Sequence, residues 1–383
     1  MRLFLLAGEP SADRLGAALM RGLRELTDDQ VSFAGVGGPL MEAEGLESLF
    51  PMDEISIMGI TEILSQWGAL MRRIDETAQA VVDMQPDALI TIDLPEFSLR
   101  LAKKVKAMSA IRCVHYVAPT VWAWRPGRAE KMARHIDQVL ALLPFEPPYM
   151  EAAGMRCDFV GHPVVTEPVA SEAEVQNLRA SLGVGAAPLA LVLPGSRRGE
   201  VGRLAPIFGE VLGKVHAARP DIEVLVPAAP AVRELVAEAV SHWPSPVHVI
   251  DSAQLEQKRA AFRAADFALA ASGTVSLELA ASSTPMVIAY DMNWLSRQII
   301  GRMLRVDTVT LVNLVSERRD VPEFIGAHCK PELIAQALLA LADQDGAQAD
   351  AMDLTMERLG RGAEAPGRRA ARAVLDGLSH HAH

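Results

Sequence analysis

Cysteine is scarce here: Cys113, Cys157 and Cys329 are the whole supply in 383 residues, far apart, odd in number and without a CxxC pair. That pattern argues against a disulfide scaffold and a structural zinc site, and predicts free thiols in a reducing compartment. Aromatic residues make up only 5%, few for a surface that stacks single-stranded bases. Basic residues are outnumbered: 37 Lys+Arg against 48 Asp+Glu leave a net charge of −11, which argues against a general nucleic-acid binder. No apolar run reaches the roughly 18 residues needed to span a bilayer. The start, Leu3-Phe4-Leu5-Leu6-Ala7-Gly8, is too short for a secretory signal. A protein of the cytosol, or of the cytosolic face of a membrane, is expected. His380, His381 and His383 lack a fixed fourth ligand nearby and read as a frayed end rather than a metal site.

What is present is a full core. Half the residues are hydrophobic and 22% are charged, so the chain is globular. Its length implies two domains, possibly with a third element. Short apolar runs alternate with amphipathic stretches. The expected strands are 2–7, 31–36, 88–92, 112–117 and 138–142, then 189–193, 222–226, 248–250, 267–271, 286–289 and 309–311. Continuous apolar strands separated by helices mean parallel sheets covered on both faces. The pattern occurs twice. The fold class is therefore α/β: two doubly wound Rossmann-like domains facing across a cleft, spanning 1–165 and 166–345. The Ala- and Arg-rich tail, 346–383, is expected to cross back onto the first domain. Ligands of such sheets bind beyond the carboxyl ends of the strands.

The residues expected at those ends carry the chemistry. After the first strand comes Gly8-Glu9-Pro10-Ser11-Ala12-Asp13. Glu9 is placed to point into the cleft; Ser11 and Asp13 read first as helix-capping groups, with Ser11 kept as a substrate-side candidate. Gly35-Val36-Gly37-Gly38 lacks the later glycine and acid of a dinucleotide fingerprint, so nicotinamide and flavin are not expected. Asp93 ends an apolar strand just before Pro95 and is the candidate general base. Trp122 and Trp124, followed by Arg125, Arg128 and Lys131, suit an acyl chain or sugar beside an anionic group. In the second half, Pro194-Gly195-Ser196-Arg197-Arg198-Gly199-Glu200 joins a strand to a helix. Backbone N–H groups and two guanidiniums there form an anion site without Walker spacing. Ser272-Gly273-Thr274 repeats the strand–turn–helix pattern, and Glu278, one turn later, suits ribose hydroxyls. No cluster has the spacing of a metal site, and no cofactor is expected.

These segments together resemble the lipid-A-disaccharide synthases, inverting glycosyltransferases of the two-domain GT-B type. The resemblance covers nearly the whole chain. It rests on GEPSAD from Gly8, GGPLMEAEG from Gly37, SIMGITEIL from Ser56, IDLPEF from Ile92, HYVAPTVWAWR from His115, LPFE from Leu143, FVGHPV from Phe159, LPGSRRGEV from Leu193, ASGTVSLE from Ala271, and VNL and VPEF from Val312 and Val321. It implies transfer of 2,3-diacylglucosamine from UDP-2,3-diacylglucosamine to 2,3-diacylglucosamine 1-phosphate, giving the β-1,6-linked lipid A disaccharide 1-phosphate and UDP. It ties Asp93, Arg197 and Arg198 to activity and places Asn313 on the nucleotide side. The chain departs from the family pattern at Ala12, Glu96, Ser98 and Gly326, so no ligand role passes to Gly326.

Both implied substrates carry acyl chains, so contact with the cytosolic surface of the inner membrane is expected. Met58, Ile60 and Trp67 are the candidate lipid-facing residues; Arg72, Arg73 and Arg125 are candidates for headgroups. The helical tail offers a means of pairing two chains as a homodimer. Two other functions use the same frame: a UDP-sugar epimerase, needing two proton-transfer groups and no apolar acceptor site, and a non-catalytic nucleotide-sugar sensor.

Overall fold

The computed structural model describes residues 1–56, 60–123, 127–292, 306–344, 346 and 348–379, with side chains of 60–66 left aside. The chain divides into two units: Met1–Thr166 together with the residues from Gly362 onward, and Glu167–Arg361.

The first unit is a seven-stranded parallel sheet in the order β3-β2-β1-β4-β5-β6-β7. Its strands are β1 Arg2–Ala7, β2 Ser32–Val36, β3 Glu47–Ser48, β4 Ala88–Ile92, β5 Arg112–Tyr116, β6 Gln138–Ala141 and β7 Arg156–Phe159. Alternate residues of β1 serve opposite faces. Leu3, Leu5 and Ala7 join one core cluster and Phe4 and Leu6 the other, as the two-residue period of a strand requires. With both faces covered, β1 from Leu3 on and β4 apart from Thr91 carry apolar side chains, which is why they read as nearly continuous runs.

The second unit is a six-stranded parallel sheet in the order β10-β9-β8-β11-β12-β13. Its strands are β8 Leu189–Leu193, β9 Glu223–Ala228, β10 Val247–Asp251, β11 Phe267–Ala270, β12 Met286–Tyr290 and β13 Glu323–Ile325.

One sequence expectation fails. Residues 309–311 are not a strand. The carboxylate of Glu323 accepts hydrogen bonds from the Val309 and Thr310 N–H groups and from both Thr308 and Thr310 hydroxyls. Those donors are lost to a ladder, a helix begins at Leu311, and β13 forms instead from Glu323–Ile325. The tail crosses back onto the first unit with its last helix. The helix Ala349–Arg358 stays in the second unit, where Thr355 Oγ1 donates to Val312 O and Arg358 Nη1 to Val315 O. Only the helix Pro366–Ser379 returns to the first unit.

That last helix packs on the helix Pro10–Leu26. The approach is close because both contribute glycines: a Cβ on Gly22 would lie 2.8 Å from Gly367 O, and one on Gly367 would lie 2.6 Å from Ala18 O. Ala370, Ala371 and Val374 complete the core cluster of this face. Gln138 Nε2 donates to Ala373 O, and Arg369 donates to Phe159 O while lying over the Phe159 ring.

Asp13 serves as a cap, but not for its own helix. Buried at 3% exposure, its carboxylate accepts from the N–H groups of Gly38, Leu40 and Met41, at the start of the helix Pro39–Ala43. Asp13→Ala would strand two buried donors, Gly38 and Met41 N–H, and the part-buried Leu40 N–H. We expect a loss of about 3 kcal/mol or more of unfolding free energy, read as a lower urea midpoint at unchanged slope, with a smaller loss for Asp13→Asn.

Candidate functional site

A doubly wound sheet has a switch point, where successive strands are added on opposite sides and the connecting helices part to leave a crevice. In the first unit it lies between β1 and β4, in the second between β8 and β11. Glu9 follows β1 and Asp93 follows β4, and the last residues of these strands, Ala7 and Ile92, are paired. The turn with Arg197 and Arg198 follows β8 and the turn Ser272–Thr274 follows β11; Leu193 and Ala270 are paired. Each unit thus gathers two of the expected segments at its own switch point: carboxylates in the first, cations and small polar groups in the second.

Backbone strain marks the first of these points. Asp93 (φ 51°) and Leu94 (φ 47°) are both left-handed, and so is Val117 (φ 80°) at the end of the neighbouring β5. Such non-glycine positions cost about 1–3 kcal/mol each and persist only where the surroundings over-determine them; a β-branched residue there is rarer still. The surroundings are visible. Asp93 N–H donates to Tyr116 O, and the buried Ser98 hydroxyl, at a position where the chain departs from the family pattern, donates to Asp93 O. Gly8 leaves room for Leu94: a Cβ there would lie 2.4 Å from Leu94 Cδ2. The Asp93 carboxyl is half-buried. Burial raises its pKa above the ordinary value, against the pull of the Leu94 N–H bond and the Arg128 charge.

Glu9 occupies the N-cap position of Pro10–Leu26 with extended backbone, and its side chain makes no capping bond. Ser11 is exposed in the first turn. His115 is buried, its Nδ1 at 2.8 Å from Thr91 Oγ1; burial and the Arg128 charge lower its pKa to about 4, so it is neutral. Trp122 does not offer its ring to a ligand as expected. It is buried edge-on against Phe145, and its Nε1–H donates to Glu146. Glu146 also accepts from Leu143 N–H, and burial pushes its carboxyl up to about 7. Met58 and Arg125 lie outside the described residues.

In the second unit the turn after β8 is organised by Glu200. Its carboxylate accepts from the Ser196 and Arg197 N–H groups and lies 3.5 Å from the Arg197 guanidinium. Gly195 (φ 120°) must be glycine, because a Cβ would sit 2.6 Å from Glu200 Cβ. This corrects the expected anion site: two of its N–H donors are already spent on Glu200, which is a brace and not a ligand. What the turn presents is guanidinium, with the Arg197 side chain 69% exposed and Arg198 exposed beside it. Gly273 and Thr274 are also exposed and Ser272 half-buried. Glu278 is half-buried and ion-paired with Lys258. Asn313 turns inward: its amide holds the backbone of Val321 from both sides and bonds Thr308, so it shapes the unit rather than reaching a ligand. Tyr290, at the end of β12, feels the charges of Glu200, Arg203 and Arg197.

The family profile described as LpxB: Lipid-A-disaccharide synthetase matches residues 3–374. The lipid-A-disaccharide synthase of Ruegeria pomeroyi is 63% identical over 384 residues, covering 99% of this chain and 96% of that one. That of Rhodospirillum centenum is 46% identical over 380 residues, covering 98% and 94%. The chain belongs to the lipid-A-disaccharide synthase family. Its activity is accordingly that of a lipid-A-disaccharide synthase, a glycosyltransferase of lipid A biosynthesis.

Solved structures show the fold of this family member. UDP-GlcNAc 2-epimerase from Neisseria meningitidis, bound to UDP-GlcNAc, matches with a TM-score of 0.61 at 12% identity, covering 99% of this chain and 100% of that one. Acinetobacter baumannii MurG matches with a TM-score of 0.52 at 12% identity, covering 99% of each. The synthase thus has the GT-B fold of two parallel-sheet Rossmann-like domains. No helix among the described residues is long and apolar enough to cross a membrane.

Proposed function

We propose that this chain transfers 2,3-diacylglucosamine from UDP-2,3-diacylglucosamine to 2,3-diacylglucosamine 1-phosphate, with inversion at the transferred anomeric carbon. The reading is carried by the two switch points: one bears a strained, half-buried carboxyl, the other exposed arginines beside a Ser-Gly-Thr turn. The second unit takes the UDP-sugar and the first takes the acceptor. The acceptor 6-hydroxyl oxygen forms the new bond to the anomeric carbon as the bond from that carbon to the diphosphate oxygen breaks. Asp93 receives the hydroxyl proton. Arg197 and Arg198, with the 272–274 turn, neutralise the departing UDP. Glu9, across the pairing of β1 and β4, is the second carboxylate on the acceptor side.

Acyl-chain substrates call for contact with the inner membrane at its cytosolic face. The exposed side chains of Leu40, Leu49 and Trp67 on the first unit support such contact, with Arg100 lying over the Trp67 ring. A homodimer through the helix Pro366–Ser379 would repeat between two chains the packing this helix makes within one.

The test is an assay of purified protein with both substrates, with and without EDTA. UDP release only in the presence of acylated acceptor is the expected result, unchanged by EDTA because Arg197 and Arg198 supply the charge. Isomerisation of the donor sugar without acceptor, with the sugar still joined to UDP, would favour the epimerase reading.

A further inference from the structure

Arg128, which the sequence places with Arg125 and Lys131 beside an unspecified anionic group, stands at the acceptor edge. It is the second residue of the helix Gly127–Met132, which follows β5 in the chain. Its Nη2 lies 3.6 Å from Oε1 of Glu96, three residues beyond Asp93, and its charge is felt at both Asp93 and His115. We propose that Arg128 is the cation that takes the phosphate of the acceptor, and that it sets the preference for a phosphorylated acceptor. This rests on the reading of the acceptor given above.

Three observations carry it. First, the present partner is a poor one. Glu96 is 62% exposed, the separation exceeds a good hydrogen bond, and the same carboxylate is already held at 2.8 Å by Arg100. A phosphate dianion offers the guanidinium fork a two-point contact that this arrangement lacks. Second, three cations on the neighbouring helix are engaged. Arg100, Lys104 and Lys106 on the helix Pro95–Met108 each have a carboxylate at bonding distance, in Glu96, Asp75 and Asp137. Third, the chemistry demands a cation here. The acceptor carries its phosphate one pyranose ring away from the attacking 6-hydroxyl, which must approach Asp93. With Asp93 and Glu9 on the same edge, an uncompensated dianion would be repelled. The Arg128 side chain, only 27% exposed, is partly shielded from water, so its attraction is screened less than that of a surface lysine.

The experiment compares wild type, Arg128→Met and Arg128→Lys on two soluble short-chain acceptors: the 1-phosphate, and the same sugar with a free 1-hydroxyl. Turnover is measured, and acceptor affinity is measured separately by titration calorimetry. For the phosphorylated acceptor, Arg128→Met should lose about 10- to 100-fold in kcat/KM and in affinity, the scale of one charge-assisted contact. For the unphosphorylated acceptor, its affinity should stay within about twofold of wild type, with donor KM unmoved. Arg128→Lys should fall between. Equal losses on both acceptors, or no loss on the phosphorylated one, overturn the assignment. Should Arg128→Met fail to fold, Arg128→Lys carries the test: a change confined to the phosphorylated acceptor supports it, and identical changes on both overturn it. Failure of wild type to turn over the phosphorylated acceptor would instead overturn the functional reading.

Discussion

Asp93→Asn is expected to lower kcat by about 10²- to 10⁴-fold, the usual contribution of a positioned general base, while affinity for the UDP-sugar stays as it was. The two effects separate because Asp93 belongs to the first unit and the arginines assigned to the nucleotide belong to the second. Asparagine keeps the shape and tolerates left-handed backbone, so the strained turn survives and only the proton acceptor is removed. Burial raises the pKa of this carboxyl, and the active form is the ionised one. The acid limb of kcat/KM should therefore lie above the ordinary carboxylate range, with activity falling as pH drops through it, and the limb should vanish in Asp93→Asn. Turnover of the asparagine variant at the wild-type rate would remove the base assignment. Glu9→Gln offers the contrast: with Asp93 intact, its loss should be smaller and should keep the limb.

Arg197→Ala should cost about 10²- to 10³-fold in kcat, the range found when one pre-positioned donor to a developing charge is deleted. It should also weaken inhibition by the product UDP. The side chain is exposed and its contact with Glu200 is long, so it is available to a diphosphate in a way that a tightly paired arginine is not. Arg197→Lys should recover part of the rate, because a point charge replaces a planar fork. Kinetics and UDP titration check this together. A variant that loses rate but binds UDP as before would place Arg197 on the transition state alone; one that loses neither would remove it from the site.

The frame of the fold was readable because buried parallel strands need uninterrupted apolar residues. β1, β4 and β8 begin and end where the apolar runs do. β3 was invisible: it has two residues, Glu47 and Ser48, at an edge, and no hydrophobic period can form in so short a piece. Residues 309–311 looked like a strand because nothing local shows that a glutamate over ten positions later will take up their donors. The site divides the same way. The placement of Asp93, Glu9 and the Arg197 turn at strand ends was legible from their position just past apolar runs. The roles of Trp122, Glu200 and Asn313 were not, because each is fixed by a partner that pattern alone does not reveal: Glu146, the Ser196–Arg197 backbone and Val321. Glu200 most changes the chemistry, since it converts a supposed nest of N–H donors into one already filled.

The return of Pro366–Ser379 to the helix Pro10–Leu26 has a consequence for how the molecule comes into being. A chain leaving the ribosome exposes β1 to β7 early, but the apolar stripe of Pro10–Leu26 waits for Ala370, Ala371 and Val374, which are translated after the entire second unit. The inserted unit is contiguous and can mature first, whereas the lobe that begins synthesis is the last to be sealed.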